Sequence, residues 1–289
     1  MRRNSKSQAC GMSLVETILT LAASLVVGVF LAGFIRTSTT LFAKNVATNL
    51  SHNSTRSAIE RLTQDVNAAN GAITLVTQSG QSIPSGNASG IRIDTLRGYG
   101  FVVEHPRGAG LLSSSTAITL RRSRESVTAS SSPIIGDVIL IDGNENARLR
   151  VANSRVKTDG QTDFIDVSLA APLGFDILWN ENSILSAKVI RPVAYVAFAA
   201  GKRNELRFYG DAGGISDFSA STAYSVLASN LGVAPGDVTP FSYKAVDSRN
   251  FLRVVLRLQA EDYSSLLSRE RNNFSSVQRV ELMLSPRGT

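Results

Sequence analysis

The sequence predicts an α+β protein, with one long N-terminal helix packed against a head of mainly antiparallel β-sheet. Three observations carry this. Residues 17–35 are apolar and uncharged, and residues 42–69 place apolar side chains at spacings of mostly three and four. Beyond Gly71 the apolar period drops to near two. Periods of 3.6 and 2 are the marks of helix and strand.

The helix comes first. The run from Thr17 to Ile35 is 19 residues long, about 28 Å at helical rise, which matches a hydrocarbon core. Past Arg36 the apolar residues thin to one stripe, Phe42, Val46, Leu50, Ile59, Leu62, Val66 and Ala69, the pattern of a helix burying one face. Ser51 to Thr55 is weakly helical, a place for a bend or polar packing. Asn70-Gly71 is the expected stop, because both residues tolerate a left-handed backbone. The division is therefore residues 1–11 as a leader, 12–71 as the helix with a membrane segment over about 17–35, and 72–289 as the head.

Candidate strands follow in order: Ile91 to Ile93, Gly100 to Glu104, Ala117 to Arg121, Asp137 to Ile141, Arg148 to Ala152 and Phe164 to Leu169. The later ones are Val189 to Phe198, Glu205 to Tyr209, Phe241 to Ala245, Phe251 to Leu258 and Gln278 to Leu284. Phe251 to Leu258 alternates most clearly, with Leu252, Val254, Leu256 and Leu258 on one face and Arg253 and Arg257 on the other. Pro192 points to an edge or a bulge in its strand. Stretches 77–90, 122–132 and 210–223, rich in Ser, Gly and Asn, are expected loops. No internal repeat is visible.

The segment Gly11-Met12-Ser13-Leu14-Val15-Glu16 sits between a basic leader (Arg2, Arg3, Lys6) and the apolar run. An ordinary signal peptide has an apolar core of about 7 to 15 residues and is cut after it. Here the core is longer and the best cut, Gly11 before Met12, precedes it. A lipoprotein reading of Cys10 fails, because the apolar residues would have to come before the cysteine. The basic flank sets the start of the segment inside and the bulk outside. A carboxylate at the mouth of such a segment is costly, and the positive end of the helix dipole offsets part of the cost.

This arrangement resembles the cleavage and methylation site of type IV prepilins and type II secretion pseudopilins. The resemblance implies a pilin-like fold, cleavage between Gly11 and Met12 by a prepilin peptidase, and N-methylation of Met12. It also implies an assembly role for Glu16, which would neutralise the new α-amine of a neighbouring subunit in a bundle of helices. The expected partners are the peptidase, other pilins or pseudopilins through the helix, and the inner membrane, with the head exported to the periplasm or cell surface. The layout is similar to PilW-like minor pilins and J-type minor pseudopilins, through Glu60-Arg61-Leu62-Thr63-Gln64-Asp65-Val66, Gly136-Asp137-Val138, Leu227 to Leu231, Phe241-Ser242-Tyr243 and Arg279 to Leu282. That similarity implies a minor subunit that initiates or caps the filament. The departure is in the apolar half, which has Gly28 and Gly33 and no proline.

Charge and composition narrow the other classes. The net charge of +7 comes from 30 basic and 23 acidic residues, and loss of residues 1–11 removes three basic ones, leaving +4. Arg121, Arg122 and Arg124 cluster after a strand, where arginine commonly protects a sheet edge. Such a basic patch can bind DNA, but no aromatic interleaving supports that here, so nucleic acid is not an expected partner. The single cysteine, Cys10, leaves with the leader, so the head carries no disulfide.

No catalytic, metal or cofactor residues emerge. His52 and His105 are isolated, and there is no nucleophile elbow, phosphate loop, dinucleotide fingerprint or zinc spacing. Asp142 to Asn146 begins like a calcium loop but has Ala147 and Asn153 where glycine and glutamate belong, so an Asp-Gly turn explains it better. Trp179 is read as buried in the head rather than as a partner contact. Two classes remain: a structural filament subunit that is no enzyme, and a singly anchored exported domain that binds a ligand, surface or DNA outside any filament.

Overall fold

The computed structural model describes residues 14–103, 111–122, 132–142, 147–159, 162–177, 185–200, 203–229, 240–246, 249–259 and 277–285. Helix α1 spans Leu14–Asn67. The strands are β1 (Thr74–Val76), β2 (Ser82–Ile83), β3 (Asn87–Ala88), β4 (Gly90–Val103), β5 (Ala117–Arg122), β6 (Val138–Ile141) and β7 (Leu149–Asp159). They continue as β8 (Thr162–Leu169), β9 (Leu185–Ala200), β10 (Arg203–Tyr209), β11 (Ser225–Ser229), β12 (Phe241–Val246), β13 (Arg249–Gln259) and β14 (Val277–Leu284). The chain is thus α+β, with a large and mainly antiparallel sheet. The described residues fall into two compact units, residues 14–50 and residues from 51 onward, so the last turns of α1 belong with the sheets.

The larger sheet has ten strands in the order β11-β10-β9-β6-β7-β8-β5-β4-β1-β2, with β9 also pairing β4. That extra pairing closes a ring. Antiparallel β4 and β9 run together from Gly90↔Val196 to Val102↔Leu185. Over residues 98–103 and 185–190 their outer edges continue through β5, β8, β7 and β6, making a six-stranded barrel. Over residues 90–96 and 191–200 the same two strands belong to an open sheet with β1 and β2 on one side and β10 and β11 on the other. The register shift between Leu96 and Gly98 marks the change from one to the other, as bulges re-aim a strand.

Alternation divides the apolar residues among separate cores. Leu120, Ile139, Val151, Val167, Ala187 and Val189 fill the barrel. Ile91, Ile93, Val193, Tyr195 and Leu206 of the open sheet share a core with Ala58, Leu62 and Val66 of α1. Phe241, Leu252, Val254 and Leu256 of the second sheet, ordered β14-β13-β12-β3, complete it. The other face of the open sheet (Val76, Ala194, Val196, Phe198) is covered by Ala212 and Phe218.

Several expectations need correction. Ile91 to Ile93 and Gly100 to Glu104 belong to the single strand β4, as far as Val103. The expected loop 77–90 contains β2, β3 and the start of β4. Of the helical stripe, Phe42 and Val46 are exposed, while Thr55, Ala58, Leu62, Asp65 and Val66 are buried. The helix ends at Asn67, before Asn70-Gly71, although Gly71 does take a left-handed φ of 97°.

Pro192 lies neither on an edge strand nor in a bulge of β9. It stands opposite Asp94 in β4. Asp94 accepts a hydrogen bond from Asn70 N–H and Leu96 N–H donates to the Ala68 carbonyl, so the backbone groups of Asp94 point away from β9. The Pro192 nitrogen therefore faces the opposite edge of β9. There β6 pairs only Ala187 to Ile190 and β10 only Ala194 to Ala200. The proline occupies the gap between two neighbours, where no donor is needed. Arg121 and Arg122 likewise lie on no edge, because β5 pairs with β4 and β8 on its two sides; Arg124 lies outside the described residues.

Candidate assembly site

Glu16 stands in the first turn of α1, where the unsatisfied N–H groups favour a negative charge. From there to Arg36 the helix carries no other charged residue, a separation of about 30 Å at helical rise. Leu14–Phe42 is long and apolar enough to cross a membrane, and every residue in it is exposed, including Leu25, Phe30 and Phe34. Several of its hydroxyls bond back to the helix itself. The Thr20 hydroxyl donates to the Glu16 carbonyl, Ser24 to Thr20 at 2.7 Å, Thr37 to Gly33 at 2.9 Å and Thr40 to Arg36 at 2.8 Å. Such back-bonding lets Ser and Thr enter an apolar medium without leaving a donor unpaired.

The far end of the helix is built into the head. Thr55, Ala58, Leu62, Asp65 and Val66 recur at helical spacing on its buried face. Asp65 is the ionisable residue on that face, and its partner explains it. The Tyr195 hydroxyl, on β9, donates to Asp65 Oδ2 at 2.6 Å. The Arg97 guanidinium is 4.0 Å from the other carboxylate oxygen, and Arg61 lies 3.6 Å over the Phe208 ring. Burial, and secondarily the carboxylate of Asp65, push the Tyr195 hydroxyl pKa well above its ordinary value. The exposed Arg56–Glu60 pair one turn earlier contributes little to stability.

Gly136-Asp137 performs a second fastening. Asp137 is 1% exposed and accepts two hydrogen bonds from Arg191, Nε at 2.7 Å and Nη2 at 3.0 Å, plus the Ile134 N–H. Gly136 is required beside it: its φ is +93°, and a Cβ there would lie 2.4 Å from Asp211 Oδ2. That carboxylate pairs with Arg150 at 2.7 Å. The loop preceding β6 is thus tied to β7, β9 and the turn after β10.

Of the residues singled out in the sequence, Glu16 is placed at the helix start, while Gly11 and Met12 lie outside the described residues. So do Cys10, His105, Trp179 and residues 143–146 of the calcium-like segment; His52 falls within α1. Among the described residues no group of three or more His, Cys, Asp or Glu converges to hold a metal. The Asp65–Tyr195 pair escaped the sequence reading. Its one visible signal is an acid at position 65 between the core residues Leu62 and Val66.

No family model, no curated protein and no solved structure matches this chain. Its functional reading therefore rests on its own residues.

Proposed function

We propose that the chain is a minor subunit of an extracytoplasmic filament of the type IV pilus or type II secretion pseudopilus class. A prepilin peptidase cuts it between Gly11 and Met12 and methylates the new Met12 amine. The apolar helix holds it in the inner membrane with the head exported, and then packs against the helices of other pilins or pseudopilins. Glu16 there neutralises a neighbour's amine, which removes two unpaired charges from an apolar bundle and sets the axial offset between subunits. The work is assembly.

One observation carries the reading: a carboxylate opens a fully exposed apolar helix whose other end is anchored in a large β-rich head. The bulk of the head favours a subunit that initiates or caps a filament over one that repeats densely within it.

Mass spectrometry of the mature N-terminus tests this in cells that contain the peptidase. The expected product begins at N-methylated Met12. An intact Met1, or a cut after Ile35, overturns the reading in favour of a singly anchored exported domain or a secreted one.

A further inference from the structure

We propose that the outer face of the barrel binds single-stranded nucleic acid through alternating aromatic and basic side chains. The residues are far apart in sequence, so the pattern exists only in the fold. Phe101 of β4 pairs with Arg121 of β5, Arg121 with Phe164 of β8, and Phe164 with Lys157 of β7. Directly paired residues share a face, so these four form one row across four strands. Their chain neighbours Val102, Leu120 and Ile165 are buried in the barrel, which puts the row on the outside. Two positions along β4 from Phe101 and on the same face, Tyr99 stands opposite Lys188 of β9.

The chemistry selects the ligand. Phe101 and Tyr99 are 37% and 51% exposed, flat surfaces on which unstacked bases can lie, while Arg121 and Lys188 are placed for the phosphates between them. Backbone positions two residues apart on one strand are about 6.7 Å apart, and positions two strands apart, as for Phe101 and Phe164, about 9.6 Å. Both separations suit an extended single strand rather than a duplex, whose bases are already stacked. Acidic glycans are the rival ligand for aromatic and basic surfaces. Their hydroxyls need carboxylates or amides nearby; on this face Asp166 is already engaged by Lys157 and by the Thr119 hydroxyl at 3.0 Å, and the Asn153 side-chain oxygen by the Ser154 N–H at 2.9 Å. The inference does not depend on filament assembly.

The test uses the full chain in detergent micelles and a fluorescent oligothymidylate of about 15 nucleotides, a length within the range one barrel covers. Anisotropy is expected to show saturable binding, stronger than to a duplex of the same length. Phe101→Thr and Phe164→Thr each weaken it about tenfold, while Phe101→Trp, which keeps a stacking surface, does not. Arg121→Gln lowers the salt slope of the binding constant by about 0.7. In the unaltered protein, photocrosslinking with bromodeoxyuridine should place adducts on Tyr99, Phe101 or Phe164. The proposal is overturned by absence of saturable binding, by adducts only elsewhere, or by equal losses in the threonine and tryptophan variants. Binding insensitive to both threonine substitutions, or binding to heparin without binding to oligothymidylate, also overturns it.

Discussion

Replacing Tyr195 by phenylalanine removes one oxygen from the junction between helix and head, and its effect should change with pH in a defined way. At neutral pH the hydroxyl donates to a buried carboxylate at 2.6 Å. Hydrogen bonds to charged groups contribute about 1.5–3 kcal/mol, so Tyr195→Phe should lower unfolding stability by about 2 kcal/mol. Burial, and then the charge of Asp65, raise the folded-state pKa of this hydroxyl above its ordinary value of 10.0. A group whose folded pKa is raised contributes stability that is complete below the unfolded pKa and is lost as pH rises towards the folded one. From about pH 10 the native protein should therefore lose about 1.4 kcal/mol per pH unit from this residue. The phenylalanine variant lacks that loss, so its deficit should close within about one and a half pH units. Tyr209 and Tyr243 are also shifted upward by burial, but they are present in both proteins and cancel in the comparison. Urea unfolding of both proteins in micelles, followed by circular dichroism from about pH 7 to about 11.5, an interval that spans the ordinary tyrosine pKa of about 10, reads the difference directly. A deficit that stays constant from pH 8 to pH 11, or no deficit at neutral pH, would refute the reasoning.

Other outcomes follow from the same geometry. Leu62→Ala, at a helix position 1% exposed, should cost about 2–5 kcal/mol and lower the urea midpoint accordingly. Gly136→Ala places a Cβ at positive φ against Asp211 and should destabilise by about 1–3 kcal/mol, visible as a lower melting temperature; an unchanged melt would show that the loop relaxes freely. Glu16→Gln should leave cleavage at Gly11 and membrane insertion intact while removing the subunit from sheared filaments, as read by immunoblot; normal incorporation would count against charge pairing.

Where periodicity alone decides an element, the sequence was sufficient. The alternation Leu252, Val254, Leu256 reappears as the buried face of β13, and β5, β6, β8 and β12 lie within two residues of their expected bounds. Short strands were missed because two or three residues have no period: β1, β2 and β3 are held by pairing, not by pattern. Ser225–Ser229, whose apolar residues Val226, Leu227 and Ala228 are consecutive and show no alternation, was not read as a strand, yet it completes the open sheet as β11. Register lies beyond one-dimensional reading altogether. Neither the closure of β4 on β9 nor the meeting of Phe101, Arg121 and Phe164 follows from local sequence, because each depends on partners tens of residues away. Pro192 shows the same limit from the other side. Its missing donor was legible, but the gap between β6 and β10 that accommodates it was not. At the site, Glu16 was legible because a charge in an apolar run is conspicuous, whereas Asp65 became meaningful only beside Tyr195.

Two long strands shared between open sheet and barrel have an architectural consequence. The chain leaves β4 at Val103 and returns at Leu185, and Val102 and Leu185 stand opposite each other. Everything between them is an excursion whose exit and re-entry points are neighbours, topologically an insertion in a long hairpin. The helix lock through Asp65 and Tyr195 lies on the hairpin's other half, outside the excursion. Changes within the excursion leave the Asp65–Tyr195 lock itself untouched, but Asp137 with Arg191, Arg148 with Asp94 and Arg150 with Asp211 cross the boundary and would have to be kept. Arg121, Lys157 and Phe164 reside in the excursion while Tyr99, Phe101 and Lys188 stand on the two shared strands, so the proposed binding face straddles the boundary between them.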